Sequence, residues 1–165
     1  MSTLFKSLVR PILEYANAVW CPYKKKHIHE LEKVQRQFTK RIKGFRNLPY
    51  SQRLSRLNLP SLEFRRLRGD YIEAYKILHK IYDPITTDTL LTLDNNNVTR
   101  SYTLKLKKQR VNYLPYQKFF TNRVINNWNR LPSDIVRAES LNIFKNKLDK
   151  RLQGLSYQTN IEHQN

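Results

Sequence analysis

The carboxylates of this chain are too scattered for metal-assisted phosphoryl or nucleotidyl transfer. That chemistry needs clustered acids around two cations, and no two Asp or Glu residues are adjacent in the sequence. The densest pair, Glu30 and Glu32, lies about 200° apart on a helix that turns about 100° per residue, so both read as solvated charges suited to a helix start. Cys21, His27 and His29 offer three donors, whereas a zinc site takes four ligands in paired spacing. His79 and His163 stand far from them in sequence and form no nucleophile-and-base arrangement with Ser or Cys. The three glycines build no phosphate-cradling loop. No catalytic residue, metal or cofactor is assigned on these grounds.

The residues that remain are cations. Lys33, Arg36, Lys40 and Lys43 gather on one side of a helical pattern, and Arg65, Arg66 and Lys76 on one side of another. Interleaved with Tyr, Phe and Trp, they suit phosphate contacts with base or sugar stacking. The plainer alternative is a solvated face over an aromatic core, and Tyr71, Tyr75, Phe120 and Trp128 are read as core. The net charge is +18, of which +12 falls in Met1–Tyr82. That balance points to nucleic acid first, an anionic membrane surface second and an acidic protein third.

The elements that must carry these cations are helices. Leu4, Leu8, Ile12, Tyr15, Ala16 and Val19 recur at helical spacing, with Ser2 or Thr3 as N-cap, a kink or restart at Pro11 and an end at Pro22. Ile28, Leu31, Val34, Phe38 and Ile42 predict a helix from about His27 to Ile42, closed by Gly44. Gln52–Leu57 reads as a short helix. Ser61 caps a long one whose stripe is Phe64, Leu67, Tyr71, Ala74, Leu78 and Ile81, ended by Asp83-Pro84.

Ile85–Asn97 is polar and reads as a linker. Tyr102, Leu104 and Leu106 then alternate with polar residues, the period of a half-buried strand, with Val111–Tyr113 as a candidate hairpin partner. Phe120, Val124, Trp128 and Leu131 form another helical stripe, and Ser140 caps a last helix on Leu141, Phe144, Leu148 and Leu152. The expected fold is mainly α: a bundle of amphipathic helices over 1–83, a linker at 84–97, a small helical subdomain with a candidate β-hairpin at 98–155, and a frayed tail at 156–165. One cysteine fits a reducing compartment, and no apolar run reaches the roughly 18–20 residues of a membrane span. The expectation is an intracellular protein of nucleus or cytoplasm without a transmembrane segment.

Several blocks of the text have a familiar order. LVRPILEYANAVWCPY (Leu8–Tyr23), LEKVQRQFTKRI (Leu31–Ile42) and SLEFRRLRGDYIEAYKIL (Ser61–Leu78) resemble the region that follows the polymerase palm in jockey-like non-LTR (LINE-type) retrotransposon reverse transcriptases. FFTNRVINNWNRLP (Phe119–Pro132) and SLNIFKNKLDKRL (Ser140–Leu152) are similar to the C-terminal end of the same proteins. The resemblance implies a thumb, a helical bundle gripping RNA and DNA as a template–primer duplex, and then a short C-terminal domain. The family's metal-binding aspartates precede the matched blocks, so none can be carried onto this sequence. The implied role is nucleic-acid binding without polymerase chemistry of its own, beside a separate catalytic polymerase chain as a second partner. Two other readings stand: a decayed, inactive element fragment, and a basic module for anionic membrane or acidic protein.

Overall fold

A computed structural model of the protein describes residues 2–82, 89–94 and 104–158. Its helices are α1 (Ser2–Leu4), a π-helical turn (Phe5–Val9), α2 (Arg10–Glu14), α3 (Lys25–Lys40), α4 (Tyr50–Leu57), α5 (Leu62–Leu78), α6 (Leu114–Gln117), α7 (Phe120–Asn129), α8 (Ser133–Val136) and α9 (Leu141–Leu152), followed by a 3₁₀ turn at Gln153–Leu155. The fold is mainly helical, and none of the described helices is long and apolar enough to cross a membrane.

The chain forms two compact units. One takes the described residues up to Leu67 together with residues 152–158, and the other takes the described residues of Arg68–Arg151. The division therefore falls inside α5, not at the polar stretch 84–97. Residues 84–88 and 95–97 of that stretch lie outside the described residues, and between them Leu91 is buried.

In the first unit the N-terminal helix corrects the expected packing. Leu4, Leu8, Ile12, Tyr15 and Val19 are exposed, and Phe5 is the residue that turns inward, stacking on Phe38 with ring centroids 4.4 Å apart. The π-helical turn runs directly into α2, with αR backbone at Leu4, Val9 and Arg10, so Pro11 lies within a continuous helical run that loses one ladder bond there. The helix stops at Glu14, short of Pro22: Ala16 has φ +50° and its carbonyl accepts the N–H groups of Val19 and Trp20. Asn17 beyond that bend donates to the carbonyl of Arg66 at 3.0 Å. Ser2 and Thr3 already lie within α1.

Helix α3 packs on a polar stripe. Its buried residues are Glu32, Gln35 and Thr39, which share one face by their steps of three and four, while Val34 of the expected apolar stripe is exposed. Glu32 accepts the backbone N–H of Leu62 at 3.0 Å and the Tyr50 hydroxyl at 2.5 Å, and Gln35 donates to the carbonyl of Pro60 at 3.0 Å. Glu32 is thus a buried cap on α5 and not a solvated charge at the start of α3. Ser61 supplies the expected local cap, its hydroxyl accepting the N–H of Phe64. Residues 156–158 are held as well, contrary to a frayed tail: Ser156 O accepts the N–H of Ser61, and Tyr157 donates to Asn58.

The second unit follows the apolar pattern closely. Phe120, Val124, Trp128 and Leu131 of α7 and its exit are buried, as are Phe144 and Leu148 of α9. Tyr71 and Tyr75 are buried too, and Tyr75 stacks on Phe144 while its hydroxyl donates to the carbonyl of Ala138. Each such side chain is worth roughly 1.5–3 kcal/mol on burial. Ser140 caps α9 through the N–H of Ile143. Helix α5 ends at Leu78, before Asp83-Pro84: Ile81 N–H reaches Lys76 O and Lys80 N–H reaches Ile77 O, with Lys80 at φ +53°, the pairing of a Schellman motif. The expected hairpin is replaced by a single antiparallel bridge, since Leu106 pairs with Leu93 upstream and not with Val111–Tyr113. Asn129 holds it there, exchanging two hydrogen bonds with the backbone of Leu106. Tyr102 and Thr103 lie outside the described residues.

Candidate nucleic-acid interface

Of the cations expected to contact phosphates, those in the C-terminal half of α3 and the turn after it are the accessible ones, Arg36 excepted. Lys33, Lys40, Arg41, Lys43 and Arg46 are all exposed. Lys33 stands 3.5 Å from Glu30 one turn earlier, a contact of little strength at the surface. Lys40 is the last residue of α3 and Arg41 its C-cap, where positive charge also complements the unpaired carbonyls of the helix end. Beyond them a turn closes with Phe45 N–H on Ile42 O at 3.0 Å, Gly44 taking φ +83° at its third position. That turn carries Lys43, and Arg46 follows it. Among the described residues none of Lys40, Arg41, Lys43 and Arg46 is paired with a carboxylate.

The other expected cations are committed within the chain. Arg36 is half-buried with its guanidinium 4.7 Å from the centre of the Tyr50 ring. Arg65 forms a two-point ion pair with Glu14, and Glu14 also stands 3.7 Å from Arg10. Arg66 is 6% exposed and donates to the carbonyl of Leu13 at 2.9 Å; burial pulls its pKa down, with Cys21, Glu32, Glu14 and Glu63 opposing. Lys76 belongs to the second unit, where it donates to the Tyr82 hydroxyl at 2.9 Å and to Glu73 at 3.5 Å.

Helix α5 therefore has no cationic face of the kind its sequence suggests. Arg66, Asp70 and Ile77 are buried along with Phe64, Leu67, Tyr71 and Ala74, so packing covers most of its circumference. Asp70 holds Arg123 by two bonds of 2.8 Å, and Arg68 holds Asp149 at 2.5 and 2.8 Å. Tyr71 is buried, and desolvation pushes its hydroxyl up to about 12, against the pull of Arg130 and Arg151.

Arg41 and Arg46 are the accessible cations that helical-wheel reasoning missed. Counting the helix on to Ile42 put Arg41 off the basic side and left Arg46 outside the element. The signal was linear: KRIKGFR (Lys40–Arg46) has four cations in a run that a turn interrupts. Lys24, Lys25 and Lys26, just before and at the start of α3, are also exposed.

No group of three or more His, Cys, Asp or Glu among the described residues is arranged to hold a metal ion, so Cys21, His27 and His29 are not brought together as ligands. Neither protein-family models, nor curated proteins, nor solved structures contain a match to this chain.

Proposed function

We propose that this chain binds a template–primer duplex of RNA and DNA as a non-catalytic, thumb-like segment of a non-LTR retrotransposon reverse transcriptase. The observation that carries the reading is the exposed set Lys33, Lys40, Arg41, Lys43 and Arg46 along the C-terminal half of α3 and just beyond it, with no carboxylate partner among the described residues at its last four members. Five exposed cations on a helix and the turn after it suit a polyanionic backbone, and the counterions they would displace supply binding free energy. The blocks at Leu31–Ile42 and Ser61–Leu78 add the family resemblance. Arg65 and Arg66 serve this function indirectly, by fixing the N-terminal helix to the backbone that α3 packs against.

The test is a titration of the full chain against an RNA–DNA hybrid, duplex DNA, hairpin RNA and heparin at several salt concentrations. For a duplex, log K falls with log salt by about 0.9 per phosphate neutralised. Reversing Lys40, Arg41, Lys43 and Arg46 to Glu is expected to flatten that slope by roughly 3–4, with a lowered thermal unfolding midpoint because Lys40 and Arg41 complement the end of α3; binding is compared at a temperature where both proteins are folded. Unchanged binding to the hybrid in that variant would sink the proposal. So would heparin binding as tightly as the hybrid with the same slope.

A further inference from the structure

The second unit carries exposed aromatics that its core does not use. Tyr113, Tyr116 and Phe119 are 69%, 47% and 42% exposed, although Phe120, Val124 and Trp128 immediately after them are buried. With Pro115 they line an open cleft of about 500 Å³ whose walls are almost wholly apolar. Large aromatic side chains contribute most when covered, so three left bare within seven residues of sequence call for a ligand with a flat apolar face.

The cleft is built, not loose. Tyr116 and Phe119 hold their rings nearly parallel, 9° apart, with centroids separated by 6.4 Å. Successive backbone bonds fix the turn, from Tyr116 N–H to Tyr113 O, Phe119 N–H to Tyr116 O and Asn122 N–H to Phe119 O. The side chain of Asn122 donates to Tyr116 O at 2.8 Å, and that of Gln117 donates to Val111 O at 2.7 Å, tying the approach to the helix. Arg123, locked on Asp70, also donates to Lys118 O. Little ordering remains to be done when a ligand arrives.

The charge that flanks the cleft in sequence points to the ligand. Lys107, Lys108 and Arg110 are exposed on the segment without regular secondary structure that leads to Tyr113, and Lys118 adjoins Phe119. Three residues of extended chain span at most about 11 Å, so Arg110 lies within one to two nucleotides' reach of the Tyr113 backbone. An apolar peptide would gain nothing from these cations. A strand of unpaired nucleotides uses both parts, with bases on the rings and phosphates on the amines and guanidinium.

We infer that Tyr113, Tyr116 and Phe119, with Lys107, Lys108, Arg110 and Lys118, form a stacking site for unpaired nucleotides of single-stranded RNA or DNA. It is distinct from the duplex contacts proposed for α3 and uses none of their residues, so either can fail alone.

Labelled single-stranded DNA and RNA ten-mers, the corresponding abasic backbones and a blunt duplex serve as probes of the full chain. Wild-type protein is expected to prefer base-bearing strands to abasic ones by roughly 5–150-fold for each base stacked. Tyr113→Ala/Tyr116→Ala/Phe119→Ala removes that preference while duplex binding stays, and Tyr113→Phe/Tyr116→Phe retains it because the rings remain. The charge-reversed α3 variant loses duplex affinity and keeps the ratio. Equal wild-type affinity for abasic and base-bearing strands overturns the inference without any variant. An undiminished base preference in the folded triple-alanine protein overturns it as well. A ratio present with only DNA or only RNA supports the site and names its strand.

Discussion

The carboxylate of Glu32 accepts the backbone N–H of Leu62, thirty residues further along the chain, at 3.0 Å. A helix start leaves its first N–H groups without intrahelical partners. In α5 one of them is satisfied from another helix while Ser61 serves Phe64 locally. This long-range cap registers α3 against α5 and so sets where the cations beyond Lys40 stand.

Replacing Glu32 by Ala leaves the Leu62 N–H and the Tyr50 hydroxyl buried without their acceptor, a loss of about 1–3 kcal/mol. Glu32→Gln keeps an acceptor and is expected to cost less. Burial pushes the Glu32 carboxyl above its ordinary 4.5, against the pull of Tyr50, the N–H groups of Leu62 and Glu63, and Arg66. A raised value in the folded state means that the native protein holds this proton more tightly than the unfolded chain. The stabilising share of Glu32 is then full below pH 4.5 and lost as pH rises through the native value. Urea unfolding of wild type and Glu32→Gln across pH 4–8 is expected to show wild type losing ground to the variant as pH rises; a constant difference would refute this account.

The pair Asp70–Arg123 is the best buried of the ion pairs, with side chains 6% and 13% exposed and two bonds of 2.8 Å. Removing one partner strands the other charge, which costs about 3–5 kcal/mol. Asp70→Ala is therefore expected to be severely destabilised. The double variant Asp70→Leu/Arg123→Met recovers a good part of the loss, since neither charge is then buried alone. A double-mutant cycle in denaturant measures both; additive single losses would show that the pair is not coupled.

Gly44 has open space where a Cβ would sit, so an added methyl meets no neighbour. Its φ of +83° is the obstacle, and Gly44→Ala is expected to cost about 1–2 kcal/mol through the left-handed backbone alone. Gly44→Asn is expected to cost less, because Asn tolerates that region better. Thermal melts of the two variants rank them, and an Ala protein as stable as wild type would place the turn in a different conformation.

Helix existence was legible wherever apolar residues kept a period, and burial was legible where the partner surface was also apolar. Trp128, Phe144 and Leu148 meet both conditions. Helix α3 meets only the first: Glu32, Gln35 and Thr39 are buried because Tyr50, Pro60 and Leu62 arrive with complementary groups, and such long-range partners leave no periodic trace. The N-terminal pattern identified a helix but not the direction it faces, which Phe5 decides through Phe38. Among the expected interface residues, Lys33, Lys40 and Lys43 are accessible as read. Arg65 and Arg66 were misread because a helical wheel shows that a cation is off the apolar stripe, not that Glu14 or the Leu13 carbonyl waits on that side.

Leu4, Leu8, Ile12, Tyr15, Val19 and Trp20 together leave the start of the chain with a bare apolar flank, on a molecule of net charge +18. Colloidal behaviour then follows from two opposing ranges. Like-charge repulsion between copies reaches about 10 Å at 0.1 M salt and only about 3 Å at 1 M, whereas apolar contact persists once water is squeezed out. Dilute buffer keeps the molecules apart, and concentrated salt lets these flanks meet. The salt that would weaken the proposed duplex contacts is thus also the condition that favours self-association through these side chains.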